Sequence, residues 1–223
     1  IGSVLAQHFR DFEFIIVDGG SGDGTKEYLS QQPENRMKWI SEKDAGIYDA
    51  QNKGIGMARG EYCLLLNSGD CLLNAYVLSE VFDKIDPQAD IAYGDVMLFD
   101  KRGMYGKKIH PQRMSSYYLM KEVVAHQGQF IRRNLFLEFG GYNLAYEITA
   151  DYEFFARMFW KQKVKLHYLN MVVSVFDTEG LSSDPAQKKR IGTERRTIQA
   201  ALAPVFWYYL YYGYAWLSKF IGR

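Results

Sequence analysis

Short apolar runs that each break off in an acidic or glycine-rich loop, separated by helix-length segments, constrain this chain more than any other feature. Phe14-Ile15-Ile16-Val17 ends at Asp18 and a glycine cluster. Lys38-Trp39-Ile40-Ser41 ends at Glu42-Lys43-Asp44-Ala45-Gly46, and the apolar run 62–66 ends at Asn67-Ser68-Gly69-Asp70. Helices are predicted over 26–32, stopping near Pro33, and over 47–58, closed by Gly60. A third helix over 75–84 leads to a strand at 91–99, followed by a polar hairpin-like stretch over 101–108. This β-α-β-α-β-α-β order predicts an α/β fold with a central, mainly parallel sheet flanked by helices. Ligands of such sheets bind beyond the carboxyl ends of the strands, so three loops converge on one candidate site.

The second half is less regular. A strand is expected at 126–131, a short helix at 134–139 ended by Gly140-Gly141, and a stronger helix over 152–161 with Asp151 near its start. Strand-like runs fill 164–176, and Asp184-Pro185 opens a long final helix that breaks or ends at Pro204. With 223 residues, 48% of them hydrophobic, the chain can bury one domain plus a tail. A net charge of +1 gives no global attraction to nucleic acid, so none is expected as a partner. Cys63 and Cys71 form no CxxC pair and have no His nearby. They read as free thiols, and with no leader pattern in the opening residues a reducing, cytoplasmic compartment is expected.

The loop residues carry the chemistry, and each has a plainer reading beside it. The cluster Asp18-Gly19-Gly20-Ser21-Gly22-Asp23-Gly24-Thr25 is close to a calcium-binding repeat, but that motif needs stacked copies. Its glycine spacing does not fit a Rossmann loop, and it lacks the second aspartate of a phosphatase loop. What remains is a glycine turn, or a strand-end aspartate that accepts hydrogen bonds from a nucleotide while the glycines admit close approach. Asp70 is either a turn residue or a carboxylate that holds Mg²⁺ or Mn²⁺ against a diphosphate. Asp151 is either a helix cap or a site carboxylate. His126 has no second histidine in range, so a structural role competes with a site role.

Taken together these segments resemble family 2 glycosyltransferases of the GT-A fold. The stretch from Phe14 to Thr25 is similar to the family's second-strand motif. Ser41-Glu42-Lys43-Asp44-Ala45-Gly46-Ile47-Tyr48-Asp49-Ala50-Gln51-Asn52-Lys53-Gly54-Ile55 resembles the next segment of one bacterial subgroup. Ala58-Arg59-Gly60-Glu61-Tyr62-Cys63-Leu64-Leu65-Leu66-Asn67-Ser68-Gly69-Asp70 resembles the strand leading to the DxD motif. The match is dense to about residue 100 and looser to about 180. It implies a GT-A domain over 1–180 and a helical, aromatic-rich tail over 181–223. It further implies transfer of a sugar from a nucleotide-diphosphate donor, a UDP-sugar first, to a glycan or lipid-linked acceptor hydroxyl by inverting displacement, in surface polysaccharide synthesis. On that resemblance Asp151 is the general base. Asp18, Glu42 and Asp44 bind the nucleotide, His126 and Gln127 line the acceptor, and Asp70 carries a divalent cation, Mn²⁺ or Mg²⁺. Three departures stand out. The DxD position keeps one acid, the residue before Asp151 is Ala150 where the family has Glu, and Ile1-Gly2-Ser3-Val4-Leu5-Ala6-Gln7 resembles the helix after the family's first strand. The last implies that a strand of about 20 residues with its loop has no counterpart in the chain and that the domain is weakened. A non-catalytic nucleotide-sugar binder and a nucleotidyltransferase are the alternatives.

The tail holds Val205-Phe206-Trp207-Tyr208-Tyr209-Leu210-Tyr211-Tyr212-Gly213-Tyr214-Ala215-Trp216-Leu217, with Lys188, Lys189, Arg190, Arg195 and Arg196 upstream. This composition is expected either to contact the inner membrane face peripherally or to pack on the domain or on a second copy.

Overall fold

The structure, a computed structural model, describes residues 1–32 and 37–221, with side chains through 213. A short helix α1 (Gly2–Leu5) precedes the expected alternation: β1 (Phe14–Asp18), α2 (Thr25–Ser30), β2 (Met37–Ser41), α3 (Ile47–Met57), β3 (Tyr62–Cys63), β4 (Cys71–Leu72) and α4 (Val77–Lys84). Pro33, expected to stop α2, lies outside the described residues; α2 ends at Ser30. Then come β5 (Ile91–Asp100), β6 (Gly103–Lys108), α5 (Ser116–Lys121), β7 (Gln129–Arg132), α6 (Arg133–Phe139), α7 (Ala150–Arg157), β8 (Leu166–Asp177), α8 (Lys188–Leu202) and α9 (Val205–Ile221). The sheet is mixed where the sequence reading has it mainly parallel. Among the described residues, β1 and β2 form a parallel pair, and a six-stranded sheet runs β3-β7-β5-β8-β4 with β6 hairpinned on β5. Only β5–β8 is parallel in the larger sheet. The reason is that two short strands run against the rest, β7 inserted between β3 and β5 and β4 added at the edge beside β8. Pairing direction is set by such long-range returns and leaves no mark on the apolar runs.

Alternation along the strands splits the core in two. Ile91 and Tyr93 of β5 and Ile131 of β7 face a large cluster built with α3, α5, α6, α7 and α8. Ala92 and Phe130, one residue out of step, face a smaller cluster with α4 and the segment around Phe9. Helices thus cover both faces, and β3, β5 and β8 run in one direction, so the loop after β3 meets the end of β8 where Asp70 accepts from the Asp177 N–H. Burying the large cluster's Tyr152, Phe154, Phe155 and Met158, each at most 2% exposed, is worth about 1.5–3 kcal/mol per side chain.

Two expected elements differ in ways that matter for the site. Ladder pairing of the 62–66 run is confined to Tyr62–Cys63. Leu64, Leu65 and Leu66 stay packed on the two clusters but carry the chain out of the sheet towards Asn67. His126–Gly128 is a 3₁₀ turn, with the strand beginning at Gln129. A β-carbon at Gly128 would stand 2.6 Å from the Gly94 carbonyl, so only glycine lets this turn press against β5. Helices α8 and α9 follow one another with the break at Pro204. Ile198 and Gln199 of α8 are buried, so this segment shares the core of residues 1–180.

Candidate active site

Asp18 ends β1 beside Ser41, its parallel partner on β2. Its carboxylate accepts from the Ser21 N–H at 3.1 Å and from the Ser41 hydroxyl at 2.7 Å. The hydroxyls of Ser21 and Ser41 together hold Asp18 below its ordinary carboxylate range. A β-carbon at Gly19 would lie 2.5 Å from Asp44 Oδ2, so any larger residue would displace that carboxylate. The two loops are therefore in contact, with Asp44 against the glycine backbone. Glu42 is exposed and pairs with Lys53 of α3 at 2.8 Å. The structure thus brings Asp18 and Asp44 together and leaves Glu42 on the rim.

Asp70 closes the next loop. Its two oxygens accept from the backbone N–H groups of Asn67 at 3.0 Å and Asp177 at 3.1 Å, and the Gln127 amide also donates to it. Burial is the largest influence and raises its pKa despite those donors. Gly69 has φ of +95°, and a β-carbon there would stand 2.5 Å from Asp177 Oδ2, so Asp177 borders the same loop. Among the described residues no three His, Cys, Asp or Glu side chains group as a metal cage. A divalent cation gripped chiefly by a diphosphate needs few protein oxygens. The Asp70 carboxylate still has lone pairs to give, so the donor set fits a cation shared with a ligand.

Asp151, in the first turn of α7, is reached by three elements. Its Oδ2 lies 2.9 Å from His126 Nδ1, and its Oδ1 lies 2.9 Å from the Tyr48 hydroxyl and 2.8 Å from the Tyr152 N–H. Burial alone would raise this carboxyl; the His126 hydrogen bond and field, with Tyr48 and Tyr152, outweigh it and the net shift is downward. Continuing outward, His126 Nε2 lies 3.0 Å from Asn67 Nδ2, and Asn67 Oδ1 accepts from Gln51 Nε2 at 2.8 Å. An ionised carboxylate only accepts and an amide nitrogen only donates. Pairing with that carboxylate places a proton on His126 Nδ1. Asn67, at the DxD position, meets Nε2 through its side-chain amide. The loss of one acid from the DxD position thus has a local partner in His126. Tyr48 and Gln51 both lie on α3, so one helix ties the Asp44 loop to Asp151 and Asn67.

Sequence reasoning missed most of this support. Glu194 of α8 accepts from three consecutive backbone N–H groups, Glu147 at 3.1 Å, Ile148 at 3.2 Å and Thr149 at 3.1 Å, and from the Thr149 hydroxyl at 2.9 Å. That clamp fixes the loop entering α7. Gln199 donates to the Tyr152 hydroxyl at 2.9 Å, and the Arg195 guanidinium sits over the Tyr152 ring. Such contacts join residues some 45 positions apart and leave no local signal. Cys63 and Cys71 are free, and burial pushes the Cys63 thiol up to about 11, which leaves it unreactive.

The profile of the family described as Glycosyl transferase family 2 matches residues 1–165. A PGL/p-HBAD biosynthesis glycosyltransferase of Mycobacterium bovis is 33% identical over 185 residues, covering 81% of this chain and 71% of that protein. An uncharacterized glycosyltransferase of Mycobacterium tuberculosis is 31% identical over 201 residues, covering 88% and 75%. Among solved structures, Staphylococcus aureus TarS residues 1–349 in complex with UDP-GlcNAc superposes with a TM-score of 0.65 at 14% identity, over 91% of this chain. The chain spans 62% of that TarS chain.

Proposed function

The chain belongs to glycosyl transferase family 2, has the family's GT-A α/β fold and is a glycosyltransferase; from that premise we propose that it moves a sugar from a nucleoside-diphosphate donor, a UDP-sugar first, to an acceptor hydroxyl with inversion, Asp151 acting as general base. The observation that carries this reading is the Asp151 arrangement. A buried carboxylate held ionised by Tyr48, His126 and the Tyr152 N–H is suited to take a proton from an attacking hydroxyl at neutral pH.

On this reading the acceptor hydroxyl attacks the sugar's anomeric carbon in line with the departing diphosphate. Asp151 takes the hydroxyl proton as the new bond forms and the bond to the diphosphate breaks. Holding both substrates in register supplies much of the rate. Asp18 and Asp44, with the glycine backbone between them, would receive the nucleoside, and Glu42 would border it on the rim. Asp70 would hold a divalent cation, Mn²⁺ or Mg²⁺, which when bound would offset charge growing on the leaving diphosphate. Gln127, expected at the acceptor, is buried at 2% exposure with its amide on Asp70, so it would act by orienting that carboxylate. His126 would orient Asp151 through Nδ1 and border the acceptor. A glycan or lipid-linked hydroxyl is the acceptor class this reading expects.

Titration calorimetry with UDP and GDP, each with and without Mn²⁺, tests the donor reading. Binding of UDP that tightens with Mn²⁺, and an Asp70→Ala variant that lacks the increment, is the expected pattern. Failure of both nucleotides to bind would leave the donor reading without support. His126 gives a second test. One lost charge-assisted hydrogen bond is worth about 1.5–3 kcal/mol, so His126→Ala should lower kcat roughly 10- to 100-fold with donor KM unchanged. Since His126 holds the Asp151 carboxyl down, the acid limb of kcat should also move to higher pH. His126→Asn, whose amide can replace the Nδ1 donor, should recover part of the loss. An unmoved pH profile in His126→Ala would show that the ring does not act through Asp151.

A further inference from the structure

Among its described side chains, α9 is apolar on two sides, and one of them packs on the core. Trp207, Tyr208, Tyr211 and Tyr212 pack against the main core cluster, and the Tyr212 hydroxyl donates to Gln199 of α8. The opposite side presents Val205 at 71%, Phe206 at 68%, Tyr209 at 70% and Leu210 at 47% exposure. These positions repeat at i, i+1, i+4 and i+5, so they form one continuous strip on the helix. Soluble surfaces scatter single apolar residues but seldom line up four in this way without a partner.

Beside the strip lies an open groove of about 880 Å³ between the outer face of α8 and Tyr208. Lys188, Lys189 and Arg196 line it, with Thr193 and Thr197 between them, and no acidic side chain is among its lining residues. The nearby acids are engaged elsewhere: Glu194 turns inward onto the 147–149 backbone, and Glu147 pairs with Arg190. Among the described residues, neither Lys188 nor Lys189 has an acidic partner within 4.0 Å. The rings of Tyr208 and Tyr209 meet with centroids 5.7 Å apart, so groove and strip are contiguous. No helix among the described residues is long and apolar enough to cross a membrane. A 17-residue helix is about 25 Å long, against about 30 Å of hydrocarbon.

We propose that the α8–α9 face is a membrane-contact surface, with the Lys188–Lys189–Arg196 groove receiving the phosphate headgroups of an anionic bilayer while Val205, Phe206, Tyr209 and Leu210 enter its interfacial layer. Charge decides between occupants. A second copy would bring the same cations against the groove, whereas anionic headgroups complement them. A purely apolar partner would leave the cations unused. The helix then lies in the interfacial plane, apolar strip down, as amphipathic helices with basic flanks do. This goes beyond the sugar-transfer reading and does not depend on it.

The test is vesicle flotation of the full chain. One set of vesicles is phosphatidylcholine alone; the other is phosphatidylcholine with phosphatidylglycerol. Binding to the mixed vesicles only, weakening as salt is raised, is expected. Each basic residue near an anionic surface is worth roughly a fivefold change in partition. K188E/K189E should therefore lower binding by at least about 25-fold, with an unchanged circular dichroism spectrum. F206S/Y209S should lower binding to a similar degree without changing the salt dependence that remains. No binding to the mixed vesicles, or equal binding to both kinds, would overturn the proposal. So would a concentration-dependent dimer that F206S/Y209S abolishes, because the strip would then be a contact between copies.

Discussion

Asp151→Asn is expected to lower kcat by about 10²- to 10⁴-fold, the usual contribution of a positioned base, with donor KM close to wild type. Asn keeps the size of the side chain and one oxygen to accept from Tyr48 or the Tyr152 N–H, so α7 should start as before. What it cannot do is take a proton. The same contacts predict the pH behaviour. Asp151 titrates below the ordinary carboxylate value, so wild-type kcat should hold through mildly acid solution and fall only beneath that range. The sign for stability follows. A depressed folded-state pKa adds stability that is present above the unfolded value and lost as pH falls through the folded one. Wild type should therefore lose more stability than Asp151→Asn between these values in acid. Steady-state kinetics alongside acid unfolding curves would check both. A variant that kept its turnover would remove Asp151 from the chemistry.

The second large effect is expected from a residue far from any motif. Glu194→Ala strips the acceptor from three consecutive backbone N–H groups just before α7. An unsatisfied buried donor costs about 1–3 kcal/mol, but this loop lies near the surface and water can recover part of that. A net loss of about 2–4 kcal/mol follows, a fall in Tm of roughly 4–16 °C at this chain length. The Arg190 ion pair to Glu194 is half-exposed on the Arg190 side and of the kind worth at most about 1 kcal/mol, so the backbone clamp, not the ion pair, sets the size of the effect. Since the clamped loop feeds directly into Asp151, kcat should fall as well. Glu194→Gln, which keeps one good acceptor, should lie between wild type and Glu194→Ala in both Tm and kcat. Calorimetric melting of the three proteins would show this order, and equal Tm values would mean that Glu194 is not the clamp.

The sequence made the strands and their ends readable because a buried strand announces itself as an apolar run and its end as Asp, Gly or Asn. Phe14-Ile15-Ile16-Val17 before Asp18 and the 91–99 run are of this kind. Asp18, Asp70 and Asp151 were findable for the same reason, lying where an element begins or ends. Strand direction was not, since β4 and β7 are short pieces whose pairing is decided by partners far along the chain. α5 was missed although Ser115 caps it, its hydroxyl accepting from the Tyr118 N–H at 3.1 Å, a signal that could have found it. Tyr48 meets Asp151 across 103 residues and Asn67 meets His126 across 59. No periodicity or local spacing encodes such a meeting. Asn67 read as a weakened motif, and its hydrogen bond to His126 appears only once the loops are folded together.

The most direct test of the central claim is proton NMR of the anomeric centre in the first-formed product, with the enzyme given an α-linked UDP-sugar and an alcohol or water as acceptor. In-line attack assisted by Asp151 predicts that the new linkage appears first as the β anomer. Product that appears first as the α anomer would contradict single-displacement transfer and the role assigned to Asp151.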